Sequence, residues 1–253
     1  MKNLDICAAQ YCSVAGNLSV NIERHLQFMQ FAAKQGVAFL IFPELSLTGY
    51  EISCARELAQ APDTAILQPL HELAKQLEMT TVVGLPLCWA GSDTILIGSL
   101  IFAADGSQGT YTKQHLHLGE ETVFSSGNGG ALLNIGSEHI ALSICADFTH
   151  ASHVQTAAKG GAGVYATSVL ISDKGYQRDS DLLKGYAQEH SLGVLMANHG
   201  APSGGWTCAG RSAFWAPGGK MVVSAASTGD CLVIARRRHG LWQGETVECS
   251  VTP

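Results

Sequence analysis

Three side chains of complementary reactivity stand where apolar runs end: Glu44 in AFLIFPELSLTGY, Lys113 in GTYTKQHL and Cys145 in HIALSICADFTH. A thiol attacks a carbonyl carbon as its thiolate, so a reactive cysteine needs a base beside it. A carboxyl group at the end of a buried strand has its pKa raised toward that task. A lysine next to both lowers the thiol pKa and neutralises the oxyanion of a tetrahedral intermediate. A second carboxylate, from Glu120 or Glu121 in the segment that follows, holds the lysine or steers a hydrolytic water. Taken alone, a cysteine closing an apolar run is more often a small core residue. What sets Cys145 apart is that all three groups occupy the same kind of position.

That position depends on strands and helices alternating along the chain. Residues 4–10 read as a buried strand, and Asn17 caps an amphipathic helix whose Leu18, Ile22, Leu26 and Met29 recur at helical spacing, stopping at Gly36. A strand over 38–42 delivers Glu44. A helix bearing Ile66, Leu70, Leu73, Ala74 and Leu77 is followed by a strand over 80–85, and a hairpin turning at 104–106 ends on Lys113. Residues 115–130 are polar, glycine-rich loop. A second hairpin leads to Cys145, a helix runs to about Lys159, and strands over 163–168 and 193–198 flank a helical face of Leu182, Leu183, Tyr186 and Ala187. A last hairpin around Pro217 and a closing strand over 231–237 complete one α/β domain over residues 1–253, with helices on two sheets.

Composition narrows the classes. With 15 Lys and Arg against 21 Asp and Glu, and a net charge of -6, nothing favours nucleic acid. The one basic cluster, Arg236 to Arg238, reads as a solvated strand edge. No apolar run reaches the roughly 18 residues of a membrane span, and the stretch after Lys2 lacks a signal-peptide core, so a cytoplasmic protein is expected. The eight cysteines show no CxxC spacing, and neither a zinc cage nor a disulfide framework is indicated. His115, His117, His150, His153 and His199 lack the i, i+4 pairing of a zinc hydrolase, so no metal is expected.

FPELSLTGY around Glu44, YTKQHL around Lys113 and SICAD around Cys145 together resemble the three signature segments of the nitrilase superfamily of carbon–nitrogen hydrolases. The Glu120-to-Gly127 loop, LLKGYAQEHSLGVLMAN and AGRSAFWAPGGK fall where that family has counterparts. The resemblance implies a four-layer α-β-β-α sandwich, homodimers or larger oligomers, a small-molecule amide substrate, and a Glu-Lys-Cys triad without metal or organic cofactor. Carried over by residue, it makes Glu44 the general base and acid, Lys113 the oxyanion cation, Cys145 the nucleophile, Glu120 the additional glutamate and the Ala146 N–H an oxyanion donor. Glu121 is then solvent-facing, and Asp147 braces the turn.

After Cys145 the chain departs from the pattern. Ala146 stands where many amidases and carbamoylases have tyrosine, Thr149 where they have arginine, and the Phe-Pro-Glu that follows is missing. Thr149 argues against a carbamoylase. Ala146-Asp147 in place of Trp-Glu points to amides rather than nitriles. Thr149, Arg178 and Trp206 are the candidate substrate-pocket residues; for Arg178 and Arg211 a structural ion pair competes with a role in holding a substrate carboxylate. Two other classes stay open: a binding or regulatory module that keeps the fold, and a Cys–His hydrolase using His150 or His199 as base.

Overall fold

The computed structural model of the chain describes residues 3–251; Lys2, with the start of the stretch read against a signal peptide, lies outside them. Strand β1 (Leu4–Gln10) is followed by helix α1 (Leu18–Lys34), where the Asn17 side chain accepts from the Val20 N–H. β2 (Phe39–Ile41), a one-turn α2 (Ala55–Leu58), α3 (Gln68–Gln76), β3 (Thr80–Leu87), β4 (Leu96–Phe102) and β5 (Gln108–Thr112) complete the first half. The second half runs β6 (Leu133–Ile135), β7 (Glu138–Ile144), α4 (Ala151–Lys159), β8 (Val164–Val169), α5 (Tyr176–Glu189), β9 (Gly193–Asn198), β10 (Ala213–Trp215) and β11 (Met221–Ser224). β12 (Cys231–Arg238) and β13 (Leu241–Glu248) return to the first sheet.

The first sheet has the order β13-β12-β1-β2-β3-β4-β5 and the second β11-β10-β9-β8-β7-β6. Parallel pairing of β1 with β2 and of β2 with β3 is mirrored by β7 with β8 and β8 with β9, each trio ending in an antiparallel hairpin. Their burial explains the near-continuous apolar runs of the sequence, since parallel strands are covered on both faces. One core lies between the sheets, with Ile6, Phe39, Ile144 and Leu195 in it. A second lies under α1 and α3, and a third under α4 and α5. Three apolar layers between two sheets and two helix layers give the expected α-β-β-α sandwich.

Three expectations are corrected. The strand over 231–237 does not close the sheet, because β13 pairs along the whole of β12; its alternation is weak since most of its side chains face solvent. Arg236 to Arg238 therefore lie on an interior strand rather than a solvated edge. Arg236 pairs with Asp5 and Glu245, Arg237 with Glu138 and Arg238 with Asp5. Ile66 is no part of the buried helical face: it sits in a 3-10 turn before α3 and is 41% exposed.

The turn after β2 passes very close to β3. A Cβ on Gly84 would stand 2.5 Å from the Leu45 nitrogen and 2.7 Å from the Pro43 carbonyl oxygen, so only glycine lets this turn reach its place. Within it Leu45 takes a left-handed φ of 51°, Ser46 Oγ accepts from the Gly84 N–H, and the buried His25 reaches the same hydroxyl. Gly84→Ala is expected to lower unfolding free energy by about 1–3 kcal/mol, the usual cost of overpacking, as read from urea unfolding. A loss below a few tenths would mean that the turn adapts freely.

Candidate active site

Glu44, Lys113 and Cys145 follow β2, β5 and β7, and the folding of one sheet over the other brings these ends together. Lys113 is fully buried, and its Nζ donates to Glu44 Oε1 at 2.7 Å and to Glu120 Oε1 and Oε2 at 2.7 and 2.8 Å. Glu120 is fixed in turn by the Tyr50 hydroxyl at 2.5 Å and the His117 N–H at 2.7 Å. It opens a one-turn 3-10 helix, and its neighbour Glu121 faces solvent.

Two carboxylates face one ammonium where water does not reach, and the titration of the group reflects it. Burial pushes the Glu44 carboxyl up to about 7, and Glu120 adds to the rise, against the pull of Lys113 and of the nearby Cys145 thiol. Burial opposes the charge on Lys113, but Glu44, Cys145 and Glu120 outweigh it and hold the ammonium above its ordinary range. Glu44 Oε2 is buried and has no hydrogen-bond partner among the described residues. Burial, then Glu44, drives the Cys145 thiol well up despite Lys113, a shift that favours its protonated form.

Cys145 sits where β7 breaks into a 3-10 turn, Cys145–Thr149, with a left-handed φ of 43°. It is half-buried, and its Sγ lies 3.7 Å from the Leu170 carbonyl oxygen after β8. Asp147 braces this turn as expected and also ties it to the lysine. Its Oδ2 accepts from the Ile144 N–H and the Tyr111 hydroxyl, and its Oδ1 from the N–H groups of Gln114 and His115, directly after Lys113. The Ala146 N–H lies at the open start of the turn, where a helix leaves its donors unpaired.

His150 and His199, the alternative bases, are engaged elsewhere. His150 Nδ1 lies 3.1 Å from the Ala146 oxygen, and its ring stacks on His115 at 3.8 Å. His199 is buried with Nε2 2.7 Å from the Glu44 oxygen and Nδ1 3.2 Å from Ser13 Oγ; burial pushes it down to about 4. It is a neutral clamp on the Glu44 backbone. Among the described residues, no group of three or more His, Cys, Asp or Glu side chains could hold a metal ion.

A cleft of about 510 Å³ opens on Glu44 and Cys145, walled by Tyr50, Leu116, Phe148, Leu170 and Ile171. All three candidate pocket residues, Thr149, Arg178 and Trp206, line it. Arg211 does not: it pairs with Asp173 at 2.6 Å and lies over the Tyr176 ring. Sequence reasoning missed Tyr50, although it stands in the LTGY motif, and read His199 only as a possible base or metal ligand.

Fold and site together describe a two-sheet sandwich with a carboxylate, an ammonium and a thiol gathered at its strand ends. The sequence matches the carbon-nitrogen hydrolase family model over residues 6–243, and the chain belongs to that family. Among solved structures it is similar to the amidase from Nesterenkonia sp. AN1 in complex with acrylamide. The TM-score is 0.85 at 21% identity, covering 94% of this chain and 91% of that one. Saccharomyces cerevisiae Nit3, a member of branch 10 of the nitrilase superfamily, gives 0.86 at 20% identity over 93% and 90%. By sequence, the chain is 24% identical to the glutamine-dependent NAD(+) synthetase of Thermotoga maritima over 89% of its own length and 39% of that protein's. It is 25% identical to a nitrilase of Pyrococcus abyssi over 58% and 57%. In both cases the match covers less than two thirds of the relative. Among the described residues no helix is long and apolar enough to cross a membrane.

Because the Glu44 pKa is raised from 4.5 to about 7, the folded state binds a proton there that the unfolded chain has lost. The stabilisation is present below pH 4.5 and disappears as pH rises through about 7. Glu44→Gln keeps a neutral group at all pH, so its stability relative to wild type should rise across that window in urea unfolding. A difference flat with pH would contradict the raised pKa.

Proposed function

We propose that this chain is a cytoplasmic amidase, residues 1–253 acting as one carbon–nitrogen hydrolase domain on the amide of a small molecule through a Cys145 thioester. The observation that carries the reading is the buried Glu44–Lys113–Glu120 bridge opening on the same cleft as the half-buried Cys145 thiol. Support also comes from the amidase of Nesterenkonia sp. AN1, a glutamate-to-glutamine mutant of which shows covalent addition of the acetamide moiety of fluoroacetamide at the active-site cysteine.

In this reading Glu44 Oε2 takes the thiol proton as Sγ bonds the amide carbon. The oxyanion is met by the Ala146 N–H and by Lys113, which turns one of its protons from Glu120. Glu44 then hands its proton to the nitrogen, the C–N bond breaks, and ammonia or an amine leaves. Water attacks the thioester, gives a proton to Glu44, and the S–C bond breaks as that proton returns to sulfur, releasing the acid. Glu120 holds Lys113 throughout. His199 and Asp147 are positioning residues, for the Glu44 backbone and for the nucleophile turn. The same residues would serve a nitrile or carbamoyl substrate, and Ala146 and Thr149 favour the amide. No metal or cofactor enters any step. Assembly as a homodimer or larger oligomer is expected with this fold and is read by light scattering.

Ammonia release from a panel of linear amides should fall at least about 1,000-fold in Cys145→Ala. kcat/KM should climb with pH with a midpoint near 7, the value for Glu44, since the base must be unprotonated. Mass spectrometry should find the acetamide moiety of fluoroacetamide on Cys145. Equal activity in wild type and Cys145→Ala would exclude the thioester. No ammonia and no adduct across the panel would mark a binding module instead.

A further inference from the structure

Departing ammonia needs almost no room, so the cleft must serve the acyl part of a primary amide. Its volume of about 510 Å³ falls within the roughly 300–1,000 Å³ that encloses drug-sized ligands, more than a two-carbon acyl group fills. Its inner wall is apolar, formed by Leu116, Phe148, Leu170 and Ile171. Its charge lies on the segment that leaves β8. Leu170, whose carbonyl oxygen touches Cys145 Sγ, is followed four residues on by Lys174, and α5 then adds Arg178.

The charges on this wall do not cancel. Lys174 is exposed and has no hydrogen-bond or ion-pair partner among the described residues. Arg178 uses only Nε, on Asp179 Oδ1 at 2.7 Å, and its side chain is 81% exposed, leaving both terminal amino groups free. Among the described residues, Asp179 is the only acid besides Glu44 that lines the cleft, and the nearby Asp173 is taken by Arg211 at 2.6 Å. His117 faces the cleft and donates its backbone N–H to Glu120. A cationic rim above an apolar neck, on a protein of net charge -6, is a local arrangement rather than a general property of the surface.

We infer that the cleft selects amides whose acyl chain ends in a carboxylate, received by Lys174 and Arg178 while the amide carbon rests at Cys145. The inference rests on the amidase reading and adds a substrate class to it. The free edge of a guanidinium matches a carboxylate in two parallel bonds, and the ammonium adds a point charge. The apolar neck accommodates the methylenes between.

The test compares glutaramate with pentanamide, five-carbon primary amides with and without the terminal carboxylate. Calorimetry on the Cys145→Ala protein reads binding without turnover. Glutaramate should bind at least about threefold tighter, the scale of an exposed ion pair, and the gap should narrow with added salt. It should also close in Cys145→Ala proteins carrying Lys174→Met with Arg178→Met, both exposed positions where folding is not at stake. In the active protein the kcat/KM ratio of glutaramate to pentanamide should fall with the same pair of substitutions. Equal binding, binding of neither amide, or a preference that survives both substitutions overturns the inference. Ammonia release from pentanamide without a glutaramate preference sinks the anion subsite alone. A preference in binding with no ammonia from either amide sinks the amidase reading and leaves the subsite standing.

Discussion

The Lys113 ammonium, buried between Glu44 and Glu120, is the interaction on which the rest of the site depends. Taking charges out of water costs several kcal/mol each unless partners replace the solvent, and here one cation is shared by two anions. The excess of one negative charge cannot be dispersed in a dry pocket, so it is expressed as a raised pKa on Glu44. Of the two carboxylates, Glu44 is the one with an oxygen lacking a hydrogen bond, whereas Glu120 is held by Tyr50, His117 and Lys113. A structural imbalance thus becomes a carboxyl group whose proton is gained and lost near neutral pH.

Holding such a cluster requires that neither sheet slide on the other, and the hydrogen bonds around it cross between them. The Glu44 turn belongs to the first sheet, yet His199 from the end of β9 binds the Glu44 oxygen, and Ser168 of β8 donates to the Phe42 oxygen at 2.7 Å. The Cys145 turn belongs to the second sheet, yet Asp147 binds the backbone just after Lys113 on the first. Each reactive residue is anchored by the opposite sheet. The left-handed backbone at Leu45 and Cys145 is strain that this cross-bracing sustains.

Much of the frame was legible because its signals are local. Asn17 capping α1, the helical spacing of Leu18, Ile22 and Met29, and the apolar runs before Glu44 and Cys145 depend on neighbours within a turn or a strand. β13 was not legible, since an exposed edge strand such as LWQGETVE carries no apolar alternation and gains its structure from pairing with β12. The arginines of β12 misled for a related reason. Charge in sequence reads as solvent, but Asp5, Glu138 and Glu245 are brought to it by β1, β7 and β13.

The sequence by itself placed Glu44, Lys113 and Cys145 at the ends of strands, because motif spacing and apolar periodicity are written residue by residue. It also determined the family, and with it the sandwich. Only the tertiary structure decided which groups meet: Tyr50 on Glu120, His199 on the Glu44 backbone rather than on the thiol, Asp147 joining two turns, and Lys174 left unpaired at the rim. These are contacts between residues tens to hundreds of positions apart, and whether a charge is paired, buried or free depends on the packing of two sheets that no local pattern specifies.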